Sequence, residues 1–448
     1  MRRGSTEGGG EVQVASNRNY KRSGDTMKII NTCNDIKTSF TDGFNLVIWR
    51  KYAEKISGEL PQKCEDDAKR YSLEKDILPV IKTALDDNKI DLVSRNFQKV
   101  INTLNHSITK LFDKDPDISI ILYLGLCNGA GWATTLNGEN TVLLGIEKII
   151  ELNWCDEINL RALIFHEIGH LWHKLNGNLY FPDFTKRRKA IQQLYQEGVA
   201  MVCEHILCGD NDFYHQDKDG WLDWCYKNEN DIKKEYLRRL DNKKSVQDFF
   251  GDWCSYKGYS DVGYFLGCRF VRYLMKDYSL KEIAKMNYRM LNKLFIEYAE
   301  TVIEPLKPDE YHKCSNIWNM KTQPLAEKWY NEILSGNRMV FIYKINGEFI
   351  GEGALVLDTG DSDYTIPDRR VYVSRMIVKK EYRNKGIGAE ILTFLIEKAK
   401  EMGYSEMAIG VDKDNVSALH LYRKFGFTEV LFDGADEQGE YLKLLKRI

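Results

Sequence analysis

"VSRMIVKKEYRNKGIGAEILTFLIEKAKEMGY", residues 373–404, joins a strand, a glycine turn and a helix without a gap. The apolar run ending at Val378 predicts a strand, and apolar residues at three- and four-residue intervals predict a helix over 387–402. Between them lies a turn with Arg383, Lys385, Gly386 and Gly388. Backbone N–H groups in such a turn, together with those of the helix start, can cradle a pyrophosphate, and the two cations add positive charge. The stretch has neither the GxxxxGK[ST] of a nucleoside-triphosphatase loop nor the strand-anchored GxGxxG of a dinucleotide fold.

The surrounding grammar is mixed. "ETVIEPL" reads as a short strand, 308–320 and 322–335 as helical, and "RMVFIYKINGEFIGEGALVLD" as a hairpin turning at Asn346 and Gly347. "RRVYVSRMIV" and "EMAIGV" are strands, 415–424 is helical, and "FTEVLFD" and "GEYLKLLKRI" close the region as two more. Before residue 300 helical periodicity dominates, interrupted by strand candidates at 118–126 and 140–146 that flank a glycine- and asparagine-bearing stretch read as turns. The expectation is a two-domain α+β protein, with a tail or expression remnant at 1–26, a mainly helical domain at 27–297 and a mixed α/β domain at 298–448.

Read whole, the opening stretch resembles the Arg/Gln-x-x-Gly-x-Gly/Ala motif of the GNAT-family N-acetyltransferases, matched at Arg383, Gly386 and Gly388. "DKDNVSALHLYRKFGFTEV" resembles that family's second half. The resemblance covers 300–448. It implies that the backbone of Met376, Ile377 and Val378 bonds the pantetheine arm of acetyl-CoA, and that Arg383, Asn384, Lys385, Gly386, Ile387, Gly388 and Ala389 hold its pyrophosphate. It further implies that Asn415 contacts the cofactor and that Tyr422 protonates the departing thiolate. The base that frees the accepting amine stays open. Glu352 is a candidate on the preceding strand, and Ser374 stands where many relatives place a carboxylate.

A second motif stands earlier, in "FHEIGHLWHK" at 165–174. His166 and His170, four apart on a helix, share a face and can converge on one metal ion. Glu167 is placed to accept a proton from water activated by the metal. The third ligand must come from elsewhere. Glu197 in "LYQEGVAMVCEHIL" is the leading candidate, with Glu204 as second choice or as acceptor for an imidazole N–H. His173 reads as structural or substrate-facing, and His106, His205 and His215 as weaker ligands still. Gly169 and Gly198 would permit close helix approach.

"HEIGHLWH" followed by "YQEGVA" resembles zincin-type predicted zinc-dependent metallopeptidases with a glutamate third ligand, of the broad group known as DUF2268, over 115–280. The resemblance implies that His166, His170 and Glu197 bind zinc and that Glu167 acts as base and then proton donor. The strand near 118–126 would align an extended substrate. Tyr264 is the leading donor to the attacked carbonyl oxygen, with Tyr195 and Tyr256 as alternatives.

Composition sets the remaining bounds. A net charge of -2 disfavours nucleic acid as partner, and no apolar run approaches a membrane span or a secretory signal, so a cytoplasmic enzyme without a membrane partner is expected. Ten cysteines with no CxxC pair read as ordinary thiols. "DKDG" at 217–220 reads as a solvated turn, since the other calcium-loop ligands are missing. The combined expectation is a zinc-dependent amide or peptide hydrolase joined to an acetyl-CoA-dependent N-acetyltransferase, acting on a small-molecule or peptide-like amine such as an antibiotic or toxin. The alternative keeps acetyl transfer alone and makes the first domain a substrate-binding or metal-stabilised scaffold. Oligomeric state is not legible.

Overall fold

The computed structural model describes residues 27–113, 116–178, 185–251, 253–436 and 439–448, so the expected tail at 1–26 lies outside the described residues. The chain packs as two compact units. The first takes the described residues before 183 with 192–224 and 248–271, and the second takes those of 183–191 with 225–247 and 272–448.

In the first unit, four strands pair in the order β1-β2-β4-β3: β1 Lys28–Asn31, β2 Ile118–Tyr123, β3 Gly131–Leu136 and β4 Glu139–Gly145. The first three in that order run parallel and β3 runs antiparallel to β4. This corrects two expectations. The stretch read as turns contains β3; it bends before the strand, with Cys127 and Gly129 at φ of 58° and 136°, and turns after it at Asn137-Gly138, with φ of 50° and 80° as a two-residue hairpin demands. The strand expected to align a substrate, β2, is fully buried and bonded to neighbours on both sides. The sheet edges belong to β1 and β3.

The motif helix, Glu157–Asn176, begins at Asp156, whose side chain accepts from the amides of Ile158 and Asn159. Its middle is buried on every side, which fits its apolar residues being spread around the axis. Small residues set its neighbours. A Cβ on Gly169 would lie 2.9 Å from Ala200 in the helix Lys186–Cys208, and one on Gly198 would lie 2.2 Å from the Gly267 carbonyl in the helix Val262–Leu274. The expected close approach is therefore real, and glycine is what permits it.

The second unit is built on a seven-stranded sheet of order β10-β11-β9-β8-β7-β6-β5. Its strands are β5 Val302–Pro305, β6 Arg338–Ile345, β7 Glu348–Val356, β8 Arg370–Val378, β9 Glu406–Asp412, β10 Glu429–Asp436 and β11 Gly439–Arg447. All neighbours are antiparallel except β8 and β9, which run parallel and need a crossover. The helix Ile387–Glu401 supplies it, with Ile391 and Leu395 against Gly351 and Gly353 of β7. The expected hairpin turn is present, with Asn346 and Gly347 at φ of 50° and 77°.

Packing does not divide at the expected 297/298 boundary. The helices Glu229–Asp241 and Tyr288–Glu300 pack on each other, with Tyr236 and Phe295 rings 5.6 Å apart and Tyr298 donating to Glu229 at 2.8 Å, and both group with the sheet. Local periodicity finds such helices without saying which partner each will bury.

The helix contact predicts a size limit. Gly198→Ala should lower stability by about 1–3 kcal/mol, whereas Gly58→Ala, where nothing lies within 4 Å of an added Cβ, should be nearly neutral. Denaturant titration of the two variants checks this.

Candidate functional site

The first cluster is assembled by the close helix contacts just described. Ligand-type atoms of His166, His170 and Glu197 lie within 4.8 Å of one another, the only such group of three among the described residues. His166 Nε2 is 3.2 Å and His170 Nε2 3.4 Å from Glu197 Oε2. Glu197 is thus not a surface carboxylate. Glu204, fully buried, accepts from His166 Nδ1 at 3.2 Å and meets His215 Nδ1 at 3.0 Å. Of its two expected roles it takes the second, fixing which imidazole nitrogen faces Glu197.

The charges are strongly coupled. Burial alone would lower the His166 pKa, but the Glu197 and Glu204 carboxylates raise it to about 10. Burial would raise both carboxyls, yet His170 and His166 hold Glu197 well below its usual range, and His215 and His166 bring Glu204 to about 2.

Glu167, next to His166 on the same helix, reaches the sheet edge. Its Oε2 accepts from the amide of Ala133 at 2.7 Å, and a Cβ on Gly131 would lie 2.5 Å from its Oε1. Sequence reading missed this β3 partner, because the glycine that makes room for the carboxylate also made the strand look like a turn. Tyr264, half-buried, lies with its ring 5.6 Å from that of His166. The two alternatives lie elsewhere: Tyr195 is buried against His173, and Tyr256 stacks on Phe249. His205 contacts Cys268, and His106 is exposed.

The second cluster lies where β8 leaves β9. Their pairing runs from Arg370↔Glu406 to Val373↔Ile409 and stops, while β8 continues to Val378 and β9 to Asp412. A bulge puts Arg375 at φ 52° and leaves it and Met376 out of the β7 register, while Ile377 and Val378 pair only on the β7 side; Met376, Ile377 and Val378 are all half-buried. Their other edge is open to a ligand backbone or amide. Arg383 Nε donates to Val378 O at 2.9 Å, tying the turn to the strand end. Asn384 and Gly386 take φ of 62° and 79°, and the helix opens at Ile387 with Gly388 and Ala389 in its first turn. Lys385 pairs with Asp277 at 3.0 Å. Among the described residues nothing demands glycine at 388, where a Cβ would make only ordinary contact with Leu421 at 3.5 Å.

Asn415 caps the helix Val416–Lys424 by accepting from the Ala418 amide at 3.1 Å. Tyr422 on that helix is 7% exposed, and its hydroxyl makes no hydrogen bond among the described residues. Burial holds the phenol well above its ordinary pKa, so it carries its proton throughout the working range. Glu352 is not the free carboxylate that a base requires: it is buried, with Oε1 accepting from Arg375 Nε at 3.0 Å and Oε2 from Trp318 Nε1 at 2.9 Å.

A seven-stranded mixed sheet whose parallel pair parts beside a glycine turn and helix is an acyltransferase architecture of the GNAT type. The comparisons agree. Residues 303–427 match the pattern of the Acetyltransferase (GNAT) family, so the C-terminal part of the chain is a GNAT acetyltransferase domain. An uncharacterized N-acetyltransferase from the pepI 3' region of Lactobacillus delbrueckii subsp. lactis is 26% identical over 120 residues, 26% of this chain and 69% of that protein. The N-alpha-acetyltransferase MAK3 of Arabidopsis thaliana is 35% identical over 75 residues, 17% of this chain and only 38% of that protein. A GNAT family acetyltransferase from Elizabethkingia anophelis, solved with acetyl-CoA bound, covers 33% of this chain and 99% of its own at 20% identity, with a TM-score of 0.25. These matches do not identify the first unit as a metallopeptidase. No helix among the described residues is long and apolar enough to cross a membrane.

The coupled cluster carries a pH signature for the metal-free protein. The lowered Glu197 and Glu204 contribute stability above the ordinary carboxyl value of 4.5 and lose it as pH falls. The raised His166 contributes fully below 6.5 and loses it as pH rises toward about 10. Chelator-treated protein should therefore be most stable between 4.5 and 6.5, and Glu204→Gln should flatten the decline on both sides; thermal melts across pH check this.

Proposed function

We propose that the C-terminal domain transfers an acetyl group from acetyl-CoA to the amine of a small-molecule or peptide-like acceptor. The observation that carries the reading is the parting of β8 from β9 after Val373↔Ile409, with the unspent Tyr422 hydroxyl in the same cluster. Acetyl-CoA supplies a thioester carbon that an unprotonated amine can attack. Met376, Ile377 and Val378 offer the open strand edge to its amide-bearing arm, and the turn Arg383–Ala389 offers backbone N–H groups and cations to its pyrophosphate. Tyr422 holds the proton for the departing sulfur. Asn415 orders the start of that helix and so sets the place of Tyr422. With Glu352 engaged by Arg375 and Trp318, the accepting amine loses its proton to water rather than to that carboxylate.

For the first unit we propose a zinc-dependent amide or peptide hydrolase site, favoured by the meeting of His166, His170 and Glu197. Two imidazoles and one carboxylate are a donor set that suits zinc, and the Glu204 carboxylate on His166 Nδ1 orients the ring as a zinc ligand needs. Zinc, when bound, supplies a Lewis acid. Glu167 then serves as proton acceptor and donor, held at the Ala133 amide, and Tyr264 as the hydroxyl donor to a developing oxyanion. Two such activities in one chain would suit inactivation of an amine-bearing, peptide-like antibiotic or toxin.

Three variants separate the readings. Tyr422→Phe should lower kcat for thiol release from acetyl-CoA by about 10- to 100-fold with little change in acetyl-CoA KM. Wild type should hold one zinc per chain by elemental analysis and His166→Ala should lose it, while Glu167→Gln should keep zinc and lose cleavage of a peptide library. Zinc without cleavage in wild type would leave the first unit as a metal-stabilised scaffold.

A further inference from the structure

We infer that Arg375 anchors a carboxylate on the acceptor, so that the acetylated molecule is a small amine bearing a carboxylate, such as an amino acid. The inference rests on the acetyl-transfer reading and adds the acceptor's chemistry to it. Arg375 stands two residues past the last β8–β9 pair, in the bulge, with a φ of 52° that a side chain rarely adopts. Its guanidinium lies in the corner of two indoles, with Cζ 4.1 Å from the ring centroids of Trp318 and of Trp329, whose planes meet at 79°. Its Nε donates to Glu352 Oε1 at 3.0 Å, and Trp318 Nε1 locks the other oxygen of that carboxylate at 2.9 Å.

Two indoles and one carboxylate therefore fix the plane and direction of the group. What they leave over is its Nη1/Nη2 edge. Among the described residues the Nε bond is the only hydrogen bond the Arg375 side chain makes, and neither Nη atom is among the buried polar atoms that lack a partner. The side chain is 15% exposed, and since neither Nη is both buried and unpartnered, that edge keeps access to solvent. The neighbouring cation is spent by contrast: Arg338 gives Nε to Glu332 at 2.7 Å and Nη1 to Ser374 at 3.1 Å. A fixed guanidinium edge with two parallel N–H donors matches a carboxylate bidentately, and a pre-oriented fork loses little entropy on binding. An accepting amine held by its own carboxylate at the bulge would stand beside the open edge of Met376–Val378, where the thioester arm is proposed to lie.

The test compares L-amino acids with their amides, which keep the amine and remove the charge. Thiol release reads transfer, and calorimetry reads binding with and without CoA. Wild type should prefer at least one acid over its amide by about 10- to 100-fold in kcat/KM. Arg375→Lys, which keeps a positive partner for Glu352 but not the fork, should abolish that preference while leaving the KM for acetyl-CoA and the circular dichroism spectrum unchanged. Equal use of acids and amides by wild type, or a preference retained in Arg375→Lys, overturns the inference and leaves acetyl transfer standing. If no acceptor supports thiol release, the acetyl-transfer reading fails. Calorimetry then decides the anchor alone: acids that bind wild type but not Arg375→Lys support it, and acids that bind neither or both overturn it.

Discussion

The C-terminal domain depends on a pairing that ends early. After Val373↔Ile409 the two parallel strands of the sheet stop bonding, and the bulge around Arg375 turns β8 away from β9. Backbone polar groups left without a strand partner are costly unless something else satisfies them. The half-buried segment Met376–Val378 is such a place, and the chain surrounds it with useful groups rather than covering it. Tyr422 keeps a free hydroxyl, the turn at Gly386 starts a helix, and Arg375 presents one edge of its guanidinium. A continuous β8–β9 ladder would remove all of these at once.

In the first unit the comparable constraint is steric. Glu197 reaches the two imidazoles because Gly169 lets the motif helix approach Ala200 on the helix that carries it, and Gly198 lets that same helix lie against the Gly267 carbonyl on its other neighbour. Gly131 does the same for Glu167 at the edge of the sheet. Chemistry-bearing residues sit beside residues whose whole contribution is the absence of a side chain. Glu204 completes the arrangement from behind, joining His166 to His215 in a buried network.

The sequence made these sites legible unevenly, for physical reasons. The meeting of His166 and His170 could be read because helical spacing puts them on one face, and that of Glu197 because a third donor was sought in the next helical pattern; Tyr264 stands nearby, with its ring 5.6 Å from that of His166. The hairpin at Asn346-Gly347 and the strands after residue 300 could be read because turn chemistry and period-two patterning are local. Non-local features escaped. Strand β1 is four residues long and pairs with a strand just over ninety positions later, at Lys28↔Ser119 through Asn31↔Leu122. Strand β3 hid behind its glycine, and the packing boundary depended on which helix Tyr236 would meet. Glu352 was a candidate base, whereas its burial and its pairing with Arg375 require a bulge that no pattern announces.

The central claim is that the open edge of β8 is a binding edge. Hydrogen exchange of the amides of Met376, Ile377 and Val378, followed with and without acetyl-CoA, tests it most directly. Exchange should slow in this segment and in the turn Arg383–Ala389 when acetyl-CoA is present, with the first unit unchanged. Exchange at 376–378 that is the same with and without saturating acetyl-CoA would contradict it.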